Sequence, residues 1–159
     1  MEKAELNKTM HLSEHITLGE VTKTSVKTAG DNIPSRVAIE NLKNLCENWL
    51  EDLRYSYNTL YEGREDNPII ITSGYRSAEV NKAVGGSPTS NHLTGCAVDI
   101  RCAGIEQALR YANILLDISD GTKQDYDELY IERNKQGRYW IHFAVRPKDN
   151  RRKTAFIQT

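Results

Sequence analysis

Alternation of apolar and polar residues predicts three strands, because neighbouring side chains of a strand point to opposite faces of a sheet. In residues 96–100 the apolar side chains share one face, and Asp99 leaves the other. Residues 140–145 repeat the pattern with His142 opposite its apolar neighbours, and residues 127–132 form a third alternating run. The first two strands therefore each direct one metal-binding or titratable side chain away from the apolar face.

Helical spacing of apolar residues predicts three helices. The longest covers about 34–55 and has a proline in its first turn, where the missing N–H costs no hydrogen bond. A short helix over 77–84 ends at two glycines, and an amphipathic helix over 104–118 is closed by the Asp-Gly pair at 120–121. The β-branched run at 68–72 predicts a short buried strand.

Composition predicts one soluble domain over residues 1–159, with an irregular N-terminal arm at about 1–31. Hydrophobic residues make up 38% of the chain and charged residues 27%, which is ordinary for a globular protein. A formal net charge of -1 argues against general nucleic-acid binding. The chain has neither the apolar core of a signal peptide nor the ~20 apolar residues of a membrane span. We therefore expect a monomer that is synthesised in the cytoplasm without a signal peptide.

Residues 90–99 contain the first candidates for a metal site. His92 and Asp99 lie seven positions apart, and Gly95 between them permits a tight turn that returns the imidazole to the carboxylate. His142 is the best-placed third ligand, because a polar side chain in the middle of an apolar strand needs a partner. Two histidines and one aspartate, with a fourth position left for water, are typical of a catalytic zinc site.

The other histidines and the cysteines have simpler interpretations. His11 and His15 are candidates for extra ligands, but lone histidines in an arm more often pack or cap. Three cysteines without CxxC spacing argue against a disulfide framework or a thiolate zinc site. Cys46 and Cys96 fall on apolar faces, and Cys102 is a nucleophile only in principle, because it has no supporting local signature.

A carboxylate that can reach a metal-bound water is predicted on the strand before His142. If the strands on either side of the polar segment 133–138 pair antiparallel, Glu132 lies opposite Trp140 and diagonal to His142, ~7–8 Å away. A glutamate side chain can cover that gap to a water on the metal. Glu128, on the same face, and a histidine of the arm are the alternatives for this role.

Two positively charged parts of the sequence, Arg76 and the segment 146–153, each have two interpretations. Arg76 follows a turn at Gly74, where its guanidinium can bind a substrate carboxylate with two hydrogen bonds. Pairing with a nearby carboxylate of the chain, such as Glu79, is the alternative that the isolated sequence favours. The segment 146–153 carries five positive charges and one negative charge. It can contact an anionic polymer such as a cell wall, but a solvated basic tail over about 146–159 is favoured.

Several motifs in a fixed order resemble a known family, the zinc D-alanyl-D-alanine carboxypeptidases of peptidase family M15, subfamily A. The arm residues 12–15 and the helix start at 32–34 are also similar, so the resemblance covers about residues 11–145. The motifs are Ser73-Gly74-Tyr75-Arg76-Ser77, Gly85-Gly86-Ser87, Ser90-Asn91-His92-Leu93-Thr94-Gly95-Cys96-Ala97-Val98-Asp99 and Trp140-Ile141-His142.

The resemblance implies an α+β fold with a small, mainly antiparallel sheet packed on helices, as in hedgehog and DD-peptidase domains. It implies Zn²⁺ bound by His92, Asp99 and His142, the same residues that the strand pattern selects. In the relatives, the residues that match Ser90 and Arg76 contact substrate. The aromatic side chains expected to wall the peptide groove are Tyr75, Tyr130 and Trp140.

One position departs from the family pattern. The related dipeptidases place a general-base glutamate three residues before the last histidine, and Tyr139 stands there in this chain. Glu132 is the replacement we predict. The hedgehog domain, a similar zinc fold, also sets a glutamate at the end of the preceding strand.

The resemblance implies a zinc metallopeptidase that hydrolyses peptidoglycan stem peptides, with a D-Ala-D-Ala carboxypeptidase as the first prediction. A phage or prophage endolysin that cuts within stem peptides or crossbridges is the alternative enzyme. A non-catalytic zinc module that binds wall peptides or a protein is the alternative from another class. We expect the protein to act on the bacterial cell wall, with phage-type release as one route to it.

Overall fold

A long helix made of four consecutive segments runs along the domain. The computed structural model describes residues 7–28 and 30–159. Ser35 caps the helix by accepting a 3.1 Å hydrogen bond from Ala38 N, so it begins just after the predicted proline. Wide π-turns alternate with α-helix, and Gly63, in the left-handed conformation, ends it. The segments are α1 (Arg36–Leu45), a π-turn (Cys46–Leu50), α2 (Glu51–Tyr57) and a second π-turn (Asn58–Glu62).

The helix extends past the predicted end because its last turns still have buried side chains. Tyr57 is 6% exposed, and Asn58 is 3% exposed. Asn58 donates hydrogen bonds to the carbonyl oxygens of Glu65 and Asn67. These hydrogen bonds satisfy the amide of Asn58 in the interior and allow the helix to continue through it.

Two shorter helices agree with the predicted positions. Helix α3 (Ala78–Ala83) starts at Ser77, whose side chain accepts from Val80 N. Helix α4 (Ile105–Thr122) continues through the expected Asp-Gly stop and ends at Lys123, which adopts a left-handed conformation. None of the helices in the described residues is both long and apolar enough to cross a bilayer.

In the part of the chain that the structure describes, five strands form one sheet in the order β1-β2-β4-β3-β5. All neighbouring pairs are antiparallel except β3 and β5, which are parallel. The predicted α+β class with a mainly antiparallel sheet packed on helices is confirmed. The strands are β1 (Ile71–Ser73), β2 (Ala97–Cys102), β3 (Glu128–Arg133), β4 (Tyr139–Ala144) and β5 (Lys153–Gln158).

The register of the central strands aligns their polar side chains. Asp99 on β2 and Tyr130 on β3 both pair with His142 on β4. Glu132 lies opposite Trp140, which confirms the predicted antiparallel hairpin. The polar faces of three strands therefore meet around one histidine.

The opposite face of the sheet packs on the helices to form the core. Trp49 is fully buried, and its ring centroid lies 5.1 Å from that of Phe143 on β4. All three cysteines are free and buried, and burial raises the pKa of the Cys102 thiol to about 12. Cys102 is part of this core, and a thiol with so high a pKa is a poor nucleophile at neutral pH.

The N-terminal arm is irregular over its described residues 7–28 and 30–31, and its apolar side chains enter the core. Residues 1–6 and 29 of the predicted arm lie outside the described residues. Leu12, Ile16 and Val21 are at most 3% exposed. Val21 O accepts a 2.7 Å hydrogen bond from Tyr75 N, directly after β1. A Cβ at Gly74 would lie 2.2 Å from that same carbonyl oxygen, so this contact between arm and turn requires glycine.

Residues 153–158 of the predicted basic tail are mostly exposed to solvent, but they also belong to the sheet. They form β5, and Lys153 N donates a 3.0 Å hydrogen bond to Asp127 O at its start. The preceding arginines are engaged with acidic groups of the domain: Arg151 binds Asp127, and Arg152 lies 2.9 Å from Asp120. These ion pairs hold the segment against the start of β3 and the end of α4.

Candidate metal centre

The structure brings His92, Asp99 and His142 together. One potential ligand atom of each lies within 4.8 Å of those of the other two. His92 sits in a 3-10 turn (Asn91–Thr94) before β2, while Asp99 and His142 face each other across β2 and β4. Two imidazole nitrogens and one carboxylate oxygen are suitable Zn²⁺ ligands, and the open side of the group faces a cleft.

The loop that carries His92 fixes the orientation of its ring. Ser90 Oγ accepts a hydrogen bond from His92 N at 3.2 Å. His92 Nδ1 donates to Gly74 O at 2.6 Å, which leaves Nε2, 3.4 Å from Asp99 Oδ1, as the free ring nitrogen. Gly95 ends the turn with φ of 73° and packs tightly, since a Cβ there would lie 2.4 Å from Ala38 O.

The carboxylate of Asp99 divides its contacts between the histidines and Arg76. Its Oδ1 lies 3.4 Å from His92 Nε2 and 3.1 Å from His142 Nδ1. Its Oδ2 lies 3.3 Å from Arg76 Nη2. Burial by itself would raise the pKa of Asp99, but the two histidines together hold it well below its usual range. The group is therefore an anion at the centre of the site.

His142 is held at both ring nitrogens. Nδ1 faces Asp99 Oδ1, while Nε2 lies 3.0 Å from Glu128 Oε1. Tyr130 stacks on the ring, with centroids 5.4 Å apart. Burial lowers the pKa of His142, but the hydrogen bonds to Asp99 and Glu128 outweigh it and raise the pKa to about 9. In the metal-free protein this ring is therefore positively charged at neutral pH, with a proton on each nitrogen.

Arg76 lies in the cleft but does not make the expected alternative contact with Glu79. Besides Asp99, its guanidinium donates to Ser73 Oγ at 3.2 Å and to Asn81 Oδ1 at 3.4 Å. Glu79 instead accepts from Gly30 N at 2.9 Å. The expected pairing of Arg76 with a nearby carboxylate is confirmed, but the partner is Asp99 and not Glu79.

Glu132 and Trp140 contact each other beside the ligands. Trp140 Nε1 donates to Glu132 Oε2 at 2.6 Å. Burial raises the pKa of Glu132 and the charge of Asp99 adds to the effect, only partly opposed by His142 and Trp140. Glu132 therefore holds a proton more readily than an exposed glutamate, which suits an acid–base group.

A cleft of about 630 Å³ connects these groups. Ser90, Arg76, Glu132 and Trp140 line it together with the three candidate ligands and Tyr130. Tyr75 lies elsewhere, because its side chain packs against the hydrophobic core. The prediction that Tyr75 walls the groove is therefore wrong.

The histidines of the arm lie outside this centre. His11 Nδ1 donates to Ser13 O at 3.2 Å. His15 lies 3.0 Å from Glu51 and, with Glu14, forms a second group of possible ligands. That group is largely exposed and is already connected by an ion pair, which is common on protein surfaces.

Sequence reasoning missed the buried polar network behind His142. Glu128 had been only an alternative base, yet it contacts His142 directly. Asn91 Nδ2 donates to both Glu128 Oε1, at 2.6 Å, and Asp127 Oδ2, at 2.8 Å. The only local signal was the adjacent acidic pair at 127 and 128, and such pairs are common on surfaces.

An α+β fold with this donor set in an open cleft defines the class of a metal-dependent hydrolase. The family model described as Peptidase M15 matches residues 14–129, nearly three quarters of the chain. The chain therefore belongs to the M15 family of zinc-dependent metallopeptidases. A comparison with curated proteins finds no match.

Proposed function

We propose that this protein is a zinc peptidase that hydrolyses peptidoglycan stem peptides, acting as a D-Ala-D-Ala carboxypeptidase at the bacterial cell wall. One observation supports this most strongly: in a member of the M15 family, His92, Asp99 and His142 converge beside Glu132 in one open cleft. The three side chains would hold the ion. Zinc bound there supplies Lewis acidity, which polarises a carbonyl and lowers the pKa of water.

Glu132 is the general base in this proposal, and Glu128 is not. Both oxygens of Glu128 are engaged, Oε1 by His142 and Asn91 and Oε2 by Tyr130 at 3.0 Å. Burial opposes ionisation of Glu128, but these hydrogen bonds lower its pKa to about 2. Glu132 has a raised pKa, and Trp140 is its one side-chain hydrogen-bond partner in the described part of the chain. Glu132 can accept a proton from water and return it to the leaving amine.

Arg76 and Ser90 are proposed to bind the substrate's terminal carboxylate. A guanidinium has five N–H donors, and Ser73, Asn81 and Asp99 accept from three of them. Among the described residues, two donors of Arg76 therefore remain without an acceptor, on a side chain that lines the cleft. Ser90 Oγ accepts from a backbone amide, which leaves its O–H free to donate.

An endopeptidase is the second candidate, because the cleft crosses the whole sheet. It extends from Arg76, just after β1 at one edge, to Ile157 on β5 at the other edge. A cleft of that extent has room for residues on both sides of a scissile bond. Internal cleavage of stem peptides or crossbridges is therefore compatible with the same catalytic groups.

Digestion of purified sacculi by the zinc-loaded protein tests the proposal, with mass spectrometry of the released products. We expect free D-alanine and shortened stem peptides; larger peptide fragments would identify the endopeptidase instead. His142→Ala should lose zinc and activity together. A zinc-loaded protein that binds stem peptide but releases no product would overturn both enzymatic proposals and favour a binding module.

A further inference from the structure

Asp127 anchors the segment that follows β4. Its side chain is completely buried. Arg151 donates to Oδ1 from its backbone N and Nε, each at 3.0 Å, and to Oδ2 from Nη2 at 2.8 Å. Arg146 Nε lies 3.2 Å from Oδ2. A buried carboxylate bound by two guanidinium groups fixes the position of both the acid and the segment.

The same network continues from Asp127 to the metal centre. Asn91 bridges the carboxylates of Asp127 and Glu128 with one amide nitrogen. Arg151 Nη2 also lies 3.5 Å from Glu128 Oε2. Glu128 Oε1 in turn contacts His142 Nε2. An unbroken series of polar contacts therefore connects Arg151 to a candidate ligand.

The contact between Glu128 and His142 determines which ring nitrogen can bind a metal. A carboxylate accepts a hydrogen bond, so Nε2 must keep its proton and Nδ1 is left for the ion. Nδ1 is also the nitrogen that faces Asp99 Oδ1, 3.1 Å away. A change in the direction of the Glu128 carboxylate would therefore rotate or release the ligand.

We propose that Arg151 is a positioning residue for the metal centre: through Asp127 and Glu128 it holds the ring of His142 with Nδ1 toward Asp99. This inference rests on the metal site of the proposed function, but not on peptide hydrolysis. It assigns a task to a segment outside the stretch that the family model matches, which ends at residue 129.

Arg152 provides a matched control, because it is the same residue type in the same segment. Its side chain contacts Asp120, Asp125 and the hydroxyl of Ser119 and lies 5.0 Å from the ring centroid of Tyr126. It contacts neither Asp127 nor Glu128 among the described residues. Arg152→Gln removes the same charge and also weakens the attachment of β5. A merely structural role of the tail would therefore make the two arginine variants behave alike.

The experiment measures the metal affinity of the metal-free protein by competition with a chromophoric chelator, using Zn²⁺ and Co²⁺. Loss of a group that orients a ligand typically weakens affinity 10–100-fold. We expect Arg151→Gln to weaken binding by about tenfold and Glu128→Ala by up to about a hundredfold, with Arg152→Gln within about twofold of the parent. The visible spectrum of bound Co²⁺ should change for Arg151→Gln and Glu128→Ala only.

Equal affinities and spectra for the Arg151→Gln and Arg152→Gln proteins would overturn the inference. If Arg151→Gln does not fold, Arg151→Lys replaces it. Lysine keeps the charge but loses the bidentate hydrogen bonding to Asp127, so we expect an affinity between that of the parent and that of Glu128→Ala. A parent protein that binds Co²⁺ without hydrolysing sacculi overturns the proposed function alone. Failure of the parent to bind either ion overturns both.

Discussion

Zinc binding by the metal-free protein is expected to tighten about tenfold per pH unit between pH 6.5 and 8.5. The cause is His142, whose pKa is raised to about 9 by Asp99 and Glu128 despite the opposing effect of burial. A metal ion must displace the proton from Nδ1, so the apparent affinity follows the fraction of protein molecules in which the His142 ring is neutral. At pH 7 that fraction is about one in a hundred for a pKa near 9.

The stability of the metal-free protein has the opposite pH dependence: it decreases as the pH rises, whereas the zinc affinity increases. The folded-state pKa of His142 lies above the unfolded value of 6.5, so its protonation stabilises the metal-free protein fully below pH 6.5. That contribution is about 3 kcal/mol and is lost as the pH rises through 9. Metal removal at alkaline pH should therefore weaken the fold more than metal removal at neutral pH.

Chelator competition across this pH range, corrected for protonation of the chelator, measures the affinity. Calorimetry in buffers of different ionisation enthalpy should detect about one proton released from His142 per ion at pH 7. In Glu128→Gln one of the two carboxylates that raise the pKa is neutral, so the pH dependence should shift to lower pH. A parent affinity that changes by less than about twofold per pH unit would refute the assignment of a protonated His142.

Three substitutions test the base, the core and the turn. Glu132→Gln keeps an acceptor for Trp140 and should bind zinc normally, while kcat/KM falls ~10²–10⁴-fold. In the parent protein, the acid limb of the pH–rate profile should lie above the ordinary pKa of glutamate, because the base works only when it is ionised and its pKa is raised. Trp49→Ala should lower the free energy of unfolding by about 3–5 kcal/mol in urea titrations, and a cost below about 1 kcal/mol would contradict its place in the core. Gly95→Ala combines a positive φ with a clash and should cost about 1–3 kcal/mol or more, whereas Gly121→Ala, with open space around its Cβ, should cost nothing.

Much of the site could be predicted because strand alternation is a local property. Once β2 and β4 were assigned, period-two geometry placed Asp99 and His142 on the polar faces of their strands. Hairpin connectivity then placed Glu132 opposite Trp140. Each of these steps needs only neighbouring residues or a short loop.

The support behind His142 could not be predicted in the same way. Asp127 is bound by residues that lie 24 positions after it and 36 positions before it in the chain. No local spacing relates an acid to such partners, and an Asp-Glu pair before a strand is usually exposed. The strand β5 was missed for a related reason: its residues are mostly exposed, and the charges of the preceding segment favoured a solvated tail.

Direct pairing of Asp99 with His142 has a consequence for how the centre is assembled. Backbone hydrogen bonds between β2 and β4 already place the carboxylate next to the imidazole, so these two donors meet as soon as the sheet has formed. In a zinc finger, by contrast, the unfolded chain gathers around its ion. Here an emptied protein should remain folded and be refilled, and exchange of one divalent ion for another should proceed without denaturation.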